Sequence, residues 1–416
     1  EMKFDTIIIG GGLSGLTAGL ALQKAGKRVA IVSMGQSTLH FNSGTFDLLG
    51  YDAQGAAVNH PLEAIAKLDA NHPYSKCENV EALADEAKAL LAEVGVRTTG
   101  DAKANHYRIT PMGAVKPAWL TIEDYASLAE ADKLPWKKVA LVNIIGYLDF
   151  PTKFIAAGLR KLGAEVDVKG FTIPELEAAR KSPSEMRASN IAKVLGNADM
   201  VKRMAAAVNE QIQGGNYDVA LLPAVLGIAD ATLSQQLKDE VKCDVQFLAT
   251  LPPSVPGVRV QTLLRKRFIA GGGVHLTGDK AIGGVIEGGT LKCINTQNLT
   301  DTCLKADNFI LASGSFVSGG LNSNYDEVTE TVFGLDVNAA EGGHGQWTKY
   351  GVYEAQPYME FGVATDEKLH VKKDGKVINN CYAVGSVLSG HNRVKMADGT
   401  GVSMLTALQA VKNILK

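Results

Sequence analysis

The five cysteines of this 416-residue chain, Cys77, Cys243, Cys293, Cys303 and Cys381, form no C-x-x-C pair. That spacing argues against a zinc site or a cysteine-held iron–sulfur cluster, so no metal centre is expected. An odd, sparse set predicts reduced thiols in a cytosolic protein. No cationic segment with a cleavage site precedes the first apolar run, so no secretory signal is expected. The longest apolar runs, such as residues 219–229, fall far short of the roughly 18 residues that a spanning helix needs. A soluble chain, or one held at a membrane by a partner, is therefore expected. A basic excess is missing too: 42 Lys and Arg face 44 Asp and Glu, a net charge of −2, which argues against a general nucleic-acid binder. The last absence is local. No carboxylate occurs between Thr6 and Phe46.

What the chain has in excess is glycine, 44 residues, about one in nine against the usual ~7%. Their positions are informative. An apolar, isoleucine-rich run over 4–9 predicts a buried parallel strand. It ends in Gly10-Gly11-Gly12-Leu13-Ser14-Gly15, a G-x-G-x-x-G turn, followed by an apolar helix and a second strand over 28–32. Gly10 permits the tight turn, Gly12 lets backbone approach a phosphate, and Gly15 lets helix and strand pack closely. The helix start offers free N–H groups and a positive dipole end to an anion. A dinucleotide site places Asp or Glu near the end of the second strand to hold the adenosine ribose; here that position is Ser33. The phosphate cradle is kept and the ribose clamp is missing. A flavin mononucleotide, FMN, needs only the cradle. The alternative is FAD with a weaker contact from Ser33. The polar loop over 37–47 crosses beside such a ligand in this fold, with His40, Ser43 and Gly44 suited to a polar ring edge.

Farther along, helical spacing marks 79–96, 152–162 and 173–213, and strands are expected at 139–143, 165–168, 217–222 and 245–249. The proline-rich residues 250–259 read as a rigid crossover before an amphipathic helix over 260–270. Short strands at 274–276, 281–287 and 290–295 between glycine turns read as a β-meander. A buried strand then ends at Ser313-Gly314, another at Gly385-Ser386, a polar loop spans 390–398, and Gly399-Thr400-Gly401 opens a terminal helix.

These signals together resemble the flavoprotein oxidoreductases of the glutathione-reductase and fumarate-reductase-like group. The strings Leu39-His40-Phe41-Asn42-Ser43-Gly44-Thr45-Phe46-Asp47-Leu48-Leu49 and Leu251-Pro252-Pro253-Ser254-Val255-Pro256-Gly257-Val258-Arg259, with 311–320 and 361–367, narrow the resemblance to the B-subunit family of anaerobic glycerol-3-phosphate dehydrogenases. The resemblance implies an α/β fold: a discontinuous Rossmann-type flavin-binding domain with β-meander (1–50, 257–320 and 375–416), and an inserted α/β substrate, cap or partner-facing domain (51–256 and 321–374). It implies oxidation of glycerol 3-phosphate to dihydroxyacetone phosphate, with electrons passed to menaquinone. The implied partners are a catalytic flavoprotein A subunit and an iron–sulfur, membrane-bound C subunit, which would hold this chain at the cytoplasmic face of the membrane. The expected flavin contacts are Gly10, Gly12, Leu13, Ser14, Gly15, Ser33, His40, Ser43, Gly44, Ser313, Gly314, Gly385, Ser386, Thr400, Gly401 and Val402. Such chemistry also needs a base and cationic donors to a phosphate. His391, Arg393 and His344 are the catalytic candidates, and Arg393, Lys395 and Arg259 the phosphate candidates. Two other readings stay open: a stand-alone flavin oxidoreductase acting on another small acid, and a non-catalytic scaffold subunit.

Overall fold

The computed structural model describes residues 3–228 and 230–416. Glu1 and Met2, and Ala229 at the end of the 219–229 run, lie outside the described residues. Strand β1 (Lys3–Ile9) buries its last four residues. Ile7 and Ile8 are fully enclosed, each contributing roughly 1.5–3 kcal/mol. The glycine turn leads into α1 (Leu13–Lys24), and β2 (Val29–Ser33) returns parallel to β1, from Thr6↔Val29 to Ile9↔Val32.

The central region is a second α/β unit. Helix α2 (Val80–Glu93) is capped by Asn79, whose Oδ1 accepts from the Ala82 amide at 3.0 Å. Strand β3 (Lys138–Ile144), helix α3 (Thr152–Lys161), strand β4 (Glu165–Phe171), helix α4 (Ala198–Ile212), and strands β5 (Val219–Pro223) and β6 (Val245–Leu248) follow. The four strands make a parallel sheet in the order β4-β3-β5-β6. The helical pattern expected over 173–213 is broken into Pro174–Arg180, Ala188–Val194 and α4.

The crossover is shorter than the prolines suggest. Helix α5 (Val255–Ala270) starts inside the proline-rich stretch, because Ser254 Oγ accepts from the Gly257 amide at 3.3 Å and caps it. Pro256 sits in the first turn, where its missing N–H costs nothing. Strand β7 (Val274–Thr277) is not part of the meander: it pairs parallel with β2, His275 opposite Ile31. The meander is β8 (Ala281–Glu287), β9 (Thr290–Thr296) and β10 (Leu304–Leu311).

One cysteine expectation is corrected here. Cys293 and Cys303 form a disulfide, because the antiparallel β9–β10 pairing, with Cys293 opposite Lys305 and Ile294 opposite Leu304, returns the chain so that the two Cα atoms, ten residues apart, lie 5.6 Å from each other. A search for C-x-x-C spacing cannot see such a pair. The other three cysteines are free thiols.

Strand β10 is shared. Its start pairs with β9, its length runs parallel to β1, and its end runs parallel to β12 (Lys376–Ala383), which in turn pairs with β11 (His370–Lys373). Among the described residues the resulting sheet has eight strands, taken from the beginning, the late middle and the end of the chain. Helix α6 (Gly399–Leu415) packs against α1 on this sheet. The C-terminal ends of β1, β10 and β12 therefore lie side by side, where ligands bind in open α/β sheets. Among the described residues no helix is long and apolar enough to cross a membrane.

Candidate functional site

The three strand ends meet through glycines. Gly10 has φ +115°, and a Cβ there would stand 2.1 Å from the Ala312 carbonyl oxygen. A Cβ on Gly15 would stand 1.9 Å from the Gly10 oxygen, and one on Gly385 (φ +75°) 2.1 Å from Ser14 Oγ. The Gly10 and Gly15 contacts are with backbone and exclude any side chain, while Gly385 abuts the Ser14 side chain, so β1, α1, β10 and the turn after β12 meet at close quarters. The turn is held by Gly10 N–H donating to Val32 O at 2.9 Å and Ala312 N–H to Ile9 O at 2.8 Å. Helix α1 begins at Leu13 with no side-chain cap, so its first N–H groups face the cradle. Ser386 Oγ would lie 3.7 Å from a Cβ on Gly314.

Two hydroxyls at this junction, Ser313 Oγ and Ser315 Oγ, are buried without a hydrogen-bond partner among the described residues. Unpaired buried polar atoms cost about 1–3 kcal/mol each, and a bound polar ligand would satisfy them. The orphaned hydroxyls and the cradle that Cβ atoms would fill both fit a flavin's phosphate and sugar chain. Residues 34–38 cross in front of the turn, where Ser37 Cβ would lie 3.5 Å from a Cβ on Gly12.

The structure distributes the remaining expected contacts as follows. Ser33 ends β2 and its hydroxyl donates to Gly35 O at 3.3 Å. His40, Ser43 and Gly44 lie on a loop pinned to the start of α5: Ser254 N–H donates to His40 O at 2.9 Å, Ser254 Oγ to Asn42 O, and Ser43 and Thr45 share a hydroxyl bond of 2.9 Å. Thr400, Gly401 and Val402 open α6, but the Gly401 N–H is already spent on Asp47 O at 2.8 Å. The Thr400 hydroxyl is likewise bonded to the Asp47 backbone.

The loop over 390–398 is not simply polar and solvated. It contains a short helix, Arg393–Met396, capped by Asn392, and it buries His391, Asn392 and Asp398. Asp398 is fully buried and accepts two hydrogen bonds: from His72 Nε2 at 2.8 Å and from His391 Nδ1 at 3.0 Å. The Tyr74 amide donates to His72 Nδ1 at 3.1 Å, so His72 carries its proton on Nε2. The bond from Nδ1 to Asp398 likewise puts a proton on that atom of His391 and leaves the lone pair on Nε2. Burial alone would raise the Asp398 carboxyl, but the two histidine donors outweigh it and hold it well below the usual carboxylate range. The three side chains offer ligand atoms within 4.8 Å of one another. The bonded tautomers, however, put protons on both nitrogens nearest the carboxylate, which suits a hydrogen-bonded chain rather than a ligand set.

Arg393 is partly buried beside Asp398 and Tyr358, and burial lowers its guanidinium somewhat. Tyr358 in turn packs edge-on against Phe316, ring centres 6.1 Å apart, just beyond Ser315. Arg393 and Tyr358 thus link the His391–Asp398 pair to Phe316, the neighbour of Ser315. The other candidates lie apart from this group. His344 is exposed and stacked on Tyr325 at 3.8 Å. Lys395 is exposed and reaches the Tyr353 carbonyl. Arg259 is buried, donates to Leu226 O at 2.8 Å, and lines a separate cavity of about 460 Å³ with Asp124, Thr232 and Gln236. His72, Asp398, Ser315 and His275 belong to the site region without any sequence motif to mark them. The one usable signal was the presence of Asp398 seven residues after His391.

Comparisons with known proteins show the family. A family described as an FAD binding domain matches residues 5–402. The chain is 39% identical to the B subunit of the anaerobic glycerol-3-phosphate dehydrogenase of Pectobacterium atrosepticum, covering 100% of this chain and 99% of that one. The corresponding B subunit of Yersinia enterocolitica is 38% identical, covering 100% and 98%, and that of Haemophilus influenzae 37%, covering all of both.

Proposed function

Because the chain belongs to the B-subunit family of anaerobic glycerol-3-phosphate dehydrogenases, built on an FAD binding domain, we propose that it is a redox-active flavin subunit whose base is His391. The observation that carries this reading is the His72–Asp398–His391 chain, buried beside a glycine cradle with unpaired hydroxyls. A bound flavin would supply the two-electron acceptor for a carbinol C–H. The turn over 10–15 and the first N–H groups of α1 would hold its phosphate, and Ser313 and Ser315 its polar chain. His391 Nε2 takes the hydroxyl proton of glycerol 3-phosphate, and the Asp398 carboxylate stabilises the imidazolium that forms. Arg393 binds the substrate phosphate. The absent ribose carboxylate at Ser33 favours FMN.

In this reading residues 51–256 and 321–374 face the substrate and the partner chains. A flavoprotein A subunit and a membrane-bound iron–sulfur C subunit then carry electrons to menaquinone, and the C subunit holds this chain at the cytoplasmic face of the membrane. The test is the absorbance of the purified assembled complex. A flavin band assigned to this chain that bleaches anaerobically on adding glycerol 3-phosphate is the expected result. A chain that carries no flavin in the complex overturns the proposal and leaves a scaffold role.

A further inference from the structure

The outer end of the cradle holds a side chain that no motif announces. Strand β7 runs parallel to β2, so His275, opposite Ile31, projects from the same sheet face as Ile31 and Ser33. That face is covered by α1 and α5: a Cβ on Gly19 would touch both Phe268 and Ile31. Phe268 meets the His275 ring edge-on, ring centres 6.4 Å apart. The ring reaches the glycine turn itself. A Cβ on Gly11 would stand 3.0 Å from His275 Nε2 and 2.7 Å from Ser33 Oγ. Both ring nitrogens are buried, and neither has a hydrogen-bond partner among the described residues.

A neutral imidazole has one N–H and one lone pair, so this arrangement leaves a donor and an acceptor unpaired against the phosphate turn. Burial and the nearby Arg265 charge keep the ring toward its neutral form, and one N–H remains to donate. In a dinucleotide site the neighbouring position, the end of the second strand, carries a carboxylate for the adenosine sugar. Here Ser33 replaces it, and its hydroxyl is spent on Gly35 O. A carboxylate there would repel a phosphate monoester dianion, whereas an imidazole N–H attracts one.

We propose that His275 sets which flavin this chain accepts: its ring fills the space an adenosine sugar would need and donates to a terminal phosphate, selecting FMN over FAD. The proposal rests on the reading that the cradle holds a flavin. The test uses the full chain stripped of flavin and titrated with FMN, FAD and riboflavin, followed by flavin fluorescence. The wild-type chain is expected to bind FMN at least about tenfold more tightly than FAD. His275→Ala is expected to weaken FMN about tenfold, leave riboflavin unchanged, and erase the preference over FAD. His275→Leu keeps the packing against Phe268 and covers the case in which the alanine variant does not fold. It too is expected to weaken FMN about tenfold and leave riboflavin unchanged. Wild-type binding of FAD as tight as FMN overturns the proposal, as does unchanged FMN affinity in the folded variants. If the wild-type chain binds none of the three, the flavin reading itself falls.

Discussion

His72 Nε2 donates to Asp398 Oδ2 across 2.8 Å, although 326 positions separate them in the chain. This bond ties the segment before α2 to the loop that opens α6, and it fixes the side of Asp398 that His391 does not use. His391, Asp398 and His72 form one hydrogen-bonded group. A general base held in one tautomer typically contributes 10²–10⁴-fold in rate. His391→Asn should lower kcat of the assembled complex by about 10²–10³-fold while its flavin content stays the same. A variant with full turnover would remove His391 from the mechanism.

The Asp398 carboxyl gives a stability prediction with a definite sign. Its folded pKa lies below the value of about 3.9 expected in the unfolded chain. Its contribution is therefore complete above about pH 4 and is lost as pH falls through the folded value. Asp398→Asn should cost about 2–3 kcal/mol near neutral pH, as a charged hydrogen-bond acceptor is lost. It should also flatten the fall in melting temperature below pH 4. Thermal melts from pH 7 to pH 3 on both proteins check this.

Two glycines of the same turn should behave differently. Gly10→Ala drives a Cβ to 2.1 Å from Ala312 O at a positive φ, so soluble folded protein should fall sharply. A Cβ on Gly12 meets Ser37 only at an ordinary 3.5 Å. Gly12→Ala should fold with a normal melting temperature yet lose flavin affinity, because the methyl occupies the phosphate approach. Equal loss of folding in both would remove the distinction.

Arg393, partly buried, and Arg259, buried, should also separate. Arg393→Ala should raise KM for glycerol 3-phosphate by about 10–100-fold, the loss of a charge-assisted contact, with kcat less affected. Arg259→Ala should leave KM unchanged and cost about 1–3 kcal/mol of stability, since Arg259 serves the Leu226 carbonyl away from the cradle. Steady-state kinetics with denaturant melts on the two variants decides between these roles.

The phosphate turn, the isoleucine-rich first strand and the terminal helix were legible because each is a local pattern: a glycine spacing, an apolar run, a helical period after a glycine turn. The destination of β7 was not, because nothing in its four residues says whether it pairs with β8 or crosses to β2. The start of α5 was hidden by prolines that a first helical turn tolerates. The Cys293–Cys303 bridge depends on strand register. His391 and Arg393 stood close to a glycine turn and could be suspected. His72 and His275 reach the site only through tertiary packing, and Arg259 and His344 carried the right chemistry in the wrong place.

The close approach of Gly385 to the Ser14 side chain bears on how the molecule is made. The phosphate turn leaves the ribosome well before the rest of its sheet, and its closing wall follows far later. At about 5–20 residues per second the two are separated by tens of seconds. Until β10 arrives, the edge of β1 opposite β2 stays open, and β12 then adds to β10 rather than to β1. The cradle exists only once the chain beyond Gly385 has emerged. Completion of the cradle is therefore a late event in synthesis, and a chain cut short before Gly385 should be unable to hold a flavin.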